Sequence, residues 1–328
     1  MRRISFLKKY SNINLSSFRF KDFNSQRSIF FNNNIFKNEL NNRFKFSIRK
    51  IDSLPYFIKK DNYIKNIRNI HFKSLNLLNN TDYENKKNIS NNLIKIKEYN
   101  SFIENDIFLI LNGKTDLINK SSNKKLDDFF MARLSTRSLI DQFLNIHSYK
   151  SSNAKLCNFN NILNNVCKEV NGMSSFYYQK NIIFNIKGKD KLNIFSLYPY
   201  LYYILIEIVK NSANAHLINN IDESIYINFY SDKDQFIIKI LDKGLGFSKY
   251  DLNKVFTYSY TTNDDLKIVD EYELINQPLM NGFGFGLPLS RLYCKYLDGD
   301  MIVDPINGVG TEVTIIFKKN NSRENFIL

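Results

Sequence analysis

Glu207 and Asn211 stand four residues apart in Glu207-Ile-Val-Lys-Asn211. At helical pitch that spacing puts a carboxylate and an amide oxygen on one face. The first can accept a proton and the second can ligate a hard cation such as Mg²⁺ through oxygen. A second segment, Asp242-Lys-Gly-Leu-Gly-Phe247, follows directly on the apolar run Phe236 to Leu241. A strand feeding an acidic residue and two glycines suggests a purine pocket. Asp242 would accept a hydrogen bond from an exocyclic amine, while Gly244 and Gly246 let the chain bend tightly beneath the base. In the third segment, Asn281-Gly-Phe-Gly-Phe-Gly-Leu-Pro288, Gly282, Gly284 and Gly286 alternate with Phe283 and Phe285, and Leu287 precedes a proline. Such a run cradles phosphate, because glycine lets backbone N–H groups approach an anion. Pro288 suits the first turn of a helix whose dipole attracts negative charge.

The loop is neither a Walker nor a Rossmann loop: there is no GxxxxGK[ST], and no acidic residue follows in a βαβ context about 20 residues later. In this order, the three segments resemble the ATP-binding domain shared by histidine kinases, heat-shock chaperone ATPases, type II topoisomerases and mismatch-repair ATPases. Gly308-Val-Gly-Thr311, leading into the alternation Thr311, Val313, Ile315, Phe317, adds to the match. In that superfamily a threonine here lies close to the adenine-binding aspartate.

Within the superfamily the chain resembles the mitochondrial protein kinases that phosphorylate serine on pyruvate and branched-chain 2-oxoacid dehydrogenases. Their signature GFG[YF]GLPxSRxYxxYxxGxx is followed position by position by Gly282 to Asp300. Phe256-Thr-Tyr-Ser-Tyr-Thr-Thr262 resembles the start of their ATP lid, and Arg133-Leu-Ser-Thr-Arg137 with Leu139 resembles a motif of their helical domain. Tyr10 to Phe23 and Glu39 to Pro55 match more loosely. The resemblance implies an ATP-dependent serine kinase that inactivates a 2-oxoacid dehydrogenase complex in the mitochondrial matrix, acting on the decarboxylase α subunit and docking on the lipoyl-bearing acyltransferase as a homodimer. It implies Glu207 as base, Asn211 on Mg²⁺, Asp242 on adenine and Gly282 to Leu287 around the phosphates. Thr261 and Thr262 match a hydroxyl pair that contacts nucleotide phosphate. Lys210, Asn214 and Thr311 fall at nucleotide-binding positions. Some of these kinases bind K⁺ through backbone carbonyls, which would place it near Val255 and Tyr260.

The chain departs from that pattern at a few positions. Tyr203 stands where pyruvate-type kinases carry a histidine four residues before the base. A phenol that titrates near pH ~10 can donate a hydrogen bond but cannot relay protons at neutral pH. Asn214 replaces an arginine and Phe143 a histidine. Tyr203 to Asn211, Phe285 and the terminal Arg323 to Leu328 look branched-chain-type, whereas Thr257 to Thr262 and Leu139 to Gln142 look pyruvate-type, so both substrates stay in play. The tryptophan-bearing tail of pyruvate-type kinases is missing, because the chain has no Trp. A phosphorelay histidine kinase is excluded, since none of His71, His147 and His216 is followed by an acidic residue. Each reads better as a structural histidine. An ATP-driven clamp or a degenerate kinase scaffold is the alternative. A carboxylate beside the γ-phosphate argues against a purely binding role.

Composition agrees with a two-domain globular chain. It has 328 residues, of which 43% are hydrophobic, enough to bury a sizeable core. Three cysteines, Cys157, Cys167 and Cys294, have neither metal-ligand spacing nor an even count, so a reducing compartment is expected. No uncharged apolar run reaches the ~18 residues of a membrane span. The net charge of +14 comes without a base-reading motif; a Lys-rich solvated surface or steering toward an acidic partner explains it better than nucleic-acid binding. The first acidic residue, Asp22, follows six basic ones, the composition of an import sequence.

Periodicity supplies the elements that must position the three segments. Leu40, Phe44, Ile48 and Ile51 predict a helix that stops before Pro55. Ile96, Tyr99, Ile103, Ile107 and Ile110 predict one ended by Gly113, and Asp127 to Ile146 an amphipathic third. Ser148 to Asn160 reads as a polar boundary, followed by a helix from about Asn161 to Val170. Ile182 to Ile186 predicts a strand. The apolar stretch Leu201 to Leu217 predicts the helix carrying Glu207 and Asn211, and Ile225 to Phe229 pairs with Phe236 to Leu241 as a hairpin. The stretch from Phe256 to Asn281 lacks periodicity and joins the adenine segment to the phosphate segment, as a lid would. The expected architecture is α+β, with a helical bundle over residues 1–150. An α/β sandwich ATP-binding domain (Bergerat-type) with a mixed sheet follows over 151–328.

Overall fold

A computed structural model describes residues 15, 33–112, 114–147, 154–188, 192–261, 284–306 and 308–319. The chain divides into two compact units between Ala154 and Lys155.

The first unit is all helical among the described residues: α1 (Asn33–Ser53), α2 (Tyr56–Lys59), α3 (Asn62–Asn79), α4 (Lys86–Tyr99), α5 (Ile103–Leu111) and α6 (Lys120–His147). The α1 stripe Leu40, Phe44, Ile48, Ile51 is buried as its spacing predicts. It lies along α6, where Phe36 stacks on Phe143 with ring centroids 4.3 Å apart. The phenyl at 143 is a fully buried core residue. A charged pair is buried beside this seam. Arg43 bonds Glu39 at 2.9 Å and donates to the Ser135 carbonyl at 2.6 Å. Of the family-like Arg133 to Arg137 motif, Ser135 thus anchors α1, while Arg133 pairs with Glu104 at 3.3 Å.

One expectation fails in this unit, and one helix goes unpredicted. The single helix through Ile96 and Ile110 is two, because Asn100 turns the chain and its amide bonds the Ile96 carbonyl and the Ser74 hydroxyl. Short polar side chains compete with the helical backbone in this way. Helix α3 was missed, although Asp61 caps it by accepting from the Tyr63 amide at 3.0 Å and Ile64, Ile67, Leu75 and Leu78 mark its buried face. Gly113 lies outside the described residues.

The second unit comprises β1 (Ala154–Asn158), α7 (Phe159–Tyr178), β2 (Phe184–Gly188), β3 (Asn193–Leu197), α8 (Tyr198–Ile218), β4 (Ile225–Ser231), β5 (Gln235–Leu241), α9 (Lys249–Leu252), α10 (Gly286–Tyr296), β6 (Gly299–Ile306) and β7 (Gly310–Lys318). Strands β2-β4-β5-β7-β6 form one mixed sheet, parallel only at β2–β4. Period-two burial leaves Ile225, Ile227, Phe229, Phe236, Ile238, Ile240, Val313, Ile315 and Phe317 on one face. Phe159 of α7 packs edge-on against Phe229 and Phe236 of that face, at 4.8 and 5.0 Å. The stretch read as a polar boundary holds strand β1, which pairs with β3, and α7 begins at Phe159, where Asn158 caps it. The hairpin itself follows the sequence: Ile227 faces Ile240 across β4–β5.

Candidate functional site

Helix α8 has Pro199 in its first turn, where a missing N–H leaves no intrahelical bond unmade. Leu201, Ile204, Leu205, Ile208 and Val209 bury one side, leaving Glu207, Lys210 and Asn211 on another. The Glu207 carboxylate is engaged at both oxygens. Oε1 accepts from Lys210 Nζ at 2.7 Å, in a pair whose side chains are 14% and 13% exposed. Oε2 lies against Gly286, where an added Cβ would stand 2.6 Å away. The carboxylate therefore meets the first residue of the helix that follows the glycine loop. Asn211 is exposed, one turn beyond Glu207. Asn214 is half-buried, and its Oδ1 is shielded from solvent without a hydrogen-bond partner.

Asp242 follows directly on β5 and is 4% exposed. Its Oδ1 accepts from the amides of Gly244 at 3.0 Å and Thr311 at 3.1 Å, and its own amide donates to the Thr311 carbonyl at 3.0 Å. The Ser212 hydroxyl on α8 also bonds the carboxylate. Burial raises the Asp242 pKa above its usual value, and these three donors oppose the rise by stabilising the anion. Beside it, the His216 ring on α8 accepts from the Lys243 amide through Nε2 at 2.8 Å. Thr311 thus sits next to Asp242 through its backbone. The two glycines serve close packing of the protein on itself. A Cβ on Gly244 would stand 2.9 Å from Ala215 Cβ, and one on Gly246, at φ +63°, 2.4 Å from the Ile306 carbonyl.

In the glycine loop, Gly284 has φ +71° and its carbonyl accepts from the Ser259 amide at 3.0 Å. Phe285 is buried against Tyr258, Leu287 is half-buried in the first turn of α10, and Pro288 is buried there. Thr261, half-buried, follows Tyr260 at the edge of this region, and the Val255 side chain is buried nearby in sequence. Thr262, Gly282, Phe283 and the acidic stretch Asp264 to Glu273 lie outside the described residues. Tyr203, one turn before Glu207, stacks on Tyr293 of α10 with centroids 4.6 Å apart. Its ring thereby joins the two helices that carry Glu207 and Gly286.

The structure brings Glu207 to Gly286 and Asp242 to Thr311, and ties Asp242 to α8 through Ser212. Sequence reasoning missed the Lys210 pairing with Glu207, which i,i+3 spacing could have suggested. It also missed Ser212 and His216 as supports of the Asp242 segment; no local pattern marks them.

Comparison with known proteins agrees with this geometry. Residues 13–168 match the family described as mitochondrial branched-chain alpha-ketoacid dehydrogenase kinase. Residues 198–321 match the histidine kinase-, DNA gyrase B- and HSP90-like ATPases, and this part of the chain is an ATP-binding domain. A mitochondrial [pyruvate dehydrogenase (acetyl-transferring)] kinase of Drosophila melanogaster is 28% identical over 238 residues, covering 66% of this chain and 57% of that protein. Isozyme 4 of Ictidomys tridecemlineatus is 26% identical over 357 aligned positions, covering 98% and 84%. The kinase of Schizosaccharomyces pombe is 27% identical over 218 residues, covering 62% and 51%. The chain thus spans about half the length of the fly and yeast relatives. With both family matches in chain order and the two helices of the site meeting at Glu207, the chain is similar to the pyruvate and branched-chain 2-oxoacid dehydrogenase kinases of the histidine kinase, gyrase and HSP90-like ATPase superfamily.

Proposed function

We propose that the chain transfers the γ-phosphoryl group of Mg-ATP to a serine of a 2-oxoacid dehydrogenase complex, in the mitochondrial matrix. The observation that carries this reading is the contact of the Glu207 carboxylate with Gly286, because it sets a proton acceptor beside the end of the phosphate loop. In the reaction the serine Oγ–P bond forms, the bond from Pγ to the bridging oxygen breaks to leave ADP, and the hydroxyl proton passes to Glu207. Glu207 also orients the hydroxyl, and positioning supplies much of the acceleration in such transfers. Lys210 pairs with Oε1, and its ammonium, drawn to the phosphates, would free that oxygen for the hydroxyl.

Asp242 accepts the adenine amine on its remaining carboxylate capacity, and the backbone from Gly282 to Leu287 cradles the phosphates, with Thr261 and Thr262 donating hydroxyls. Asn211, an exposed amide oxygen on the Glu207 face, suits an oxygen-seeking cation, and Mg²⁺ held there would neutralise phosphate charge. K⁺ would take backbone carbonyls near Val255 and Tyr260. The decarboxylase α subunit is the expected substrate, the lipoyl-bearing acyltransferase the docking site, and a second copy the dimer partner. Among the described residues, no helix is long and apolar enough to cross a membrane.

The test incubates the purified chain with radiolabelled ATP and either the pyruvate or the branched-chain complex. Acid-stable label is expected on one dehydrogenase, and Glu207→Gln should keep nucleotide binding and lose transfer. Native-rate labelling by Glu207→Gln overturns the base assignment, and phosphate release without labelled protein overturns the kinase.

A further inference from the structure

We propose that His216 is a positioning residue for adenine recognition: its neutral ring straps the Asp242 segment to α8, so that nucleotide affinity depends on its protonation without contact between ring and nucleotide. The proposal rests on ATP binding by the second unit. His216 lies in the last turn of α8 and is fully buried. Its Nε2 accepts from the amide of Lys243, the residue after Asp242, at 2.8 Å. A lone pair on Nε2 exists only while the ring is neutral with its proton on Nδ1.

Two further contacts come from the same helix. Ser212 bonds the Asp242 carboxylate, and Ala215 lies beneath Gly244. Asp242, Lys243 and Gly244 are thus each held by a residue of the helix that also carries Glu207 and Asn211. One rigid element thereby sets the separation between the purine-reading carboxylate and the group beside the phosphates. Protonating His216 replaces the middle strap by an N–H facing an N–H, and the segment must move.

The groups that act on the ring come from three places. Lys180, which pairs with Asp222 at 2.8 Å, disfavours the imidazolium; Glu223 favours it through its backbone and its charge; and Asp242 lies beyond the Lys243 amide. Burial is the largest influence and holds the His216 pKa below its usual 6.5. The strap is therefore intact at neutral pH and lost on acidification. Nucleotide, which needs the strapped segment, lowers the pKa further by linkage.

Binding of Mg-ADP to the full chain is measured from pH 8 to pH 5 by calorimetry, for the wild type and for His216→Gln, whose amide oxygen accepts at every pH. Titration of the nucleotide and of Asp242 is common to both, so the affinity ratio isolates the imidazole. The ratio should be constant at and above pH 6.5, and as the pH falls through the lowered His216 pKa the wild type should lose affinity relative to the variant by up to about tenfold per pH unit. A ratio that stays flat while NMR shows the His216 ring taking up its proton overturns the proposal. No binding by the wild type at pH 8 would overturn the nucleotide site itself and the proposal with it. If His216→Gln fails to fold, NMR titration of the wild-type histidines decides: Mg-ADP must lower the His216 pKa, and an unchanged value refutes the strap.

Discussion

Gly284 and Gly286 look equivalent in the glycine run, yet their surroundings differ and so should the effects of alanine. At Gly286 the added methyl meets only Glu207, at 2.6 Å from Oε2 and 3.6 Å from Cδ. Ordinary contact begins at 3.4 Å, so the carboxylate must withdraw by about 0.8 Å. A displacement near 1 Å at a reacting group costs on the order of 10²-fold in rate. The backbone at Gly286 is ordinary helix, where alanine stabilises by about 0.4–1 kcal/mol through the unfolded chain. Gly286→Ala should therefore be as stable as the wild type or more so, bind ATP, and transfer phosphate about a hundredfold more slowly. At Gly284 the φ of +71° costs an L residue about 1–2 kcal/mol, and the methyl meets backbone, 2.5 Å from the Tyr260 carbonyl and 2.6 Å from Ser259 C. Overpacking adds about 1–3 kcal/mol, so Gly284→Ala should lower the melting temperature on the order of 10 °C. Thermal melts, nucleotide binding and radiolabel transfer on both variants decide. The reasoning is refuted if Gly286→Ala transfers at the native rate, or if Gly284→Ala melts with the wild type.

Asn211→Ala should abolish Mg-dependent nucleotide binding; affinity equal with and without Mg²⁺ in the wild type would remove Asn211 as a ligand. His71 is buried and donates to the Ile67 carbonyl at 2.9 Å, and its pKa falls from 6.5 to about 4 because burial disfavours the imidazolium. Stability is complete above pH 6.5 and declines as the unfolded chain takes up a proton that the folded one refuses. The loss is about 2.5 kcal/mol by pH 4.5, read by urea unfolding of wild type against His71→Gln, and a parallel decline in both discounts it. Arg43→Met strands the buried Glu39 carboxylate and should cost about 3–5 kcal/mol, whereas adding Glu39→Met should restore most of it. Equal melting of single and double variants would show that the pair is not coupled.

What could be read from the chain itself was local. The α1 stripe, the Leu201 to Leu217 helix and the 225–241 hairpin follow from periods of 3.6 and 2, since side chains on one face of one element are buried together. The three chemical segments were legible because backbone approach to phosphate needs glycine, and a helix turn aligns Glu207 with Asn211. Local competition was already harder. The break at Asn100 depends on an amide finding Ser74 on another helix, and strand β1 exists only because β3 pairs with it.

Tertiary structure alone decided which distant groups meet. That Glu207 rests on Gly286, that Asp242 takes the Thr311 amide, that Tyr203 stacks on Tyr293, and that His216 holds Lys243 are contacts between residues with no shared period. Their pairing follows from packing α8 against α10 and the end of β5. Closing long loops costs little more than closing short ones, so spacing along the chain carries almost no record of these partnerships. Residue types and periods thus determined the elements and the kind of chemistry available, while packing determined where each reactive atom stands and what holds it there.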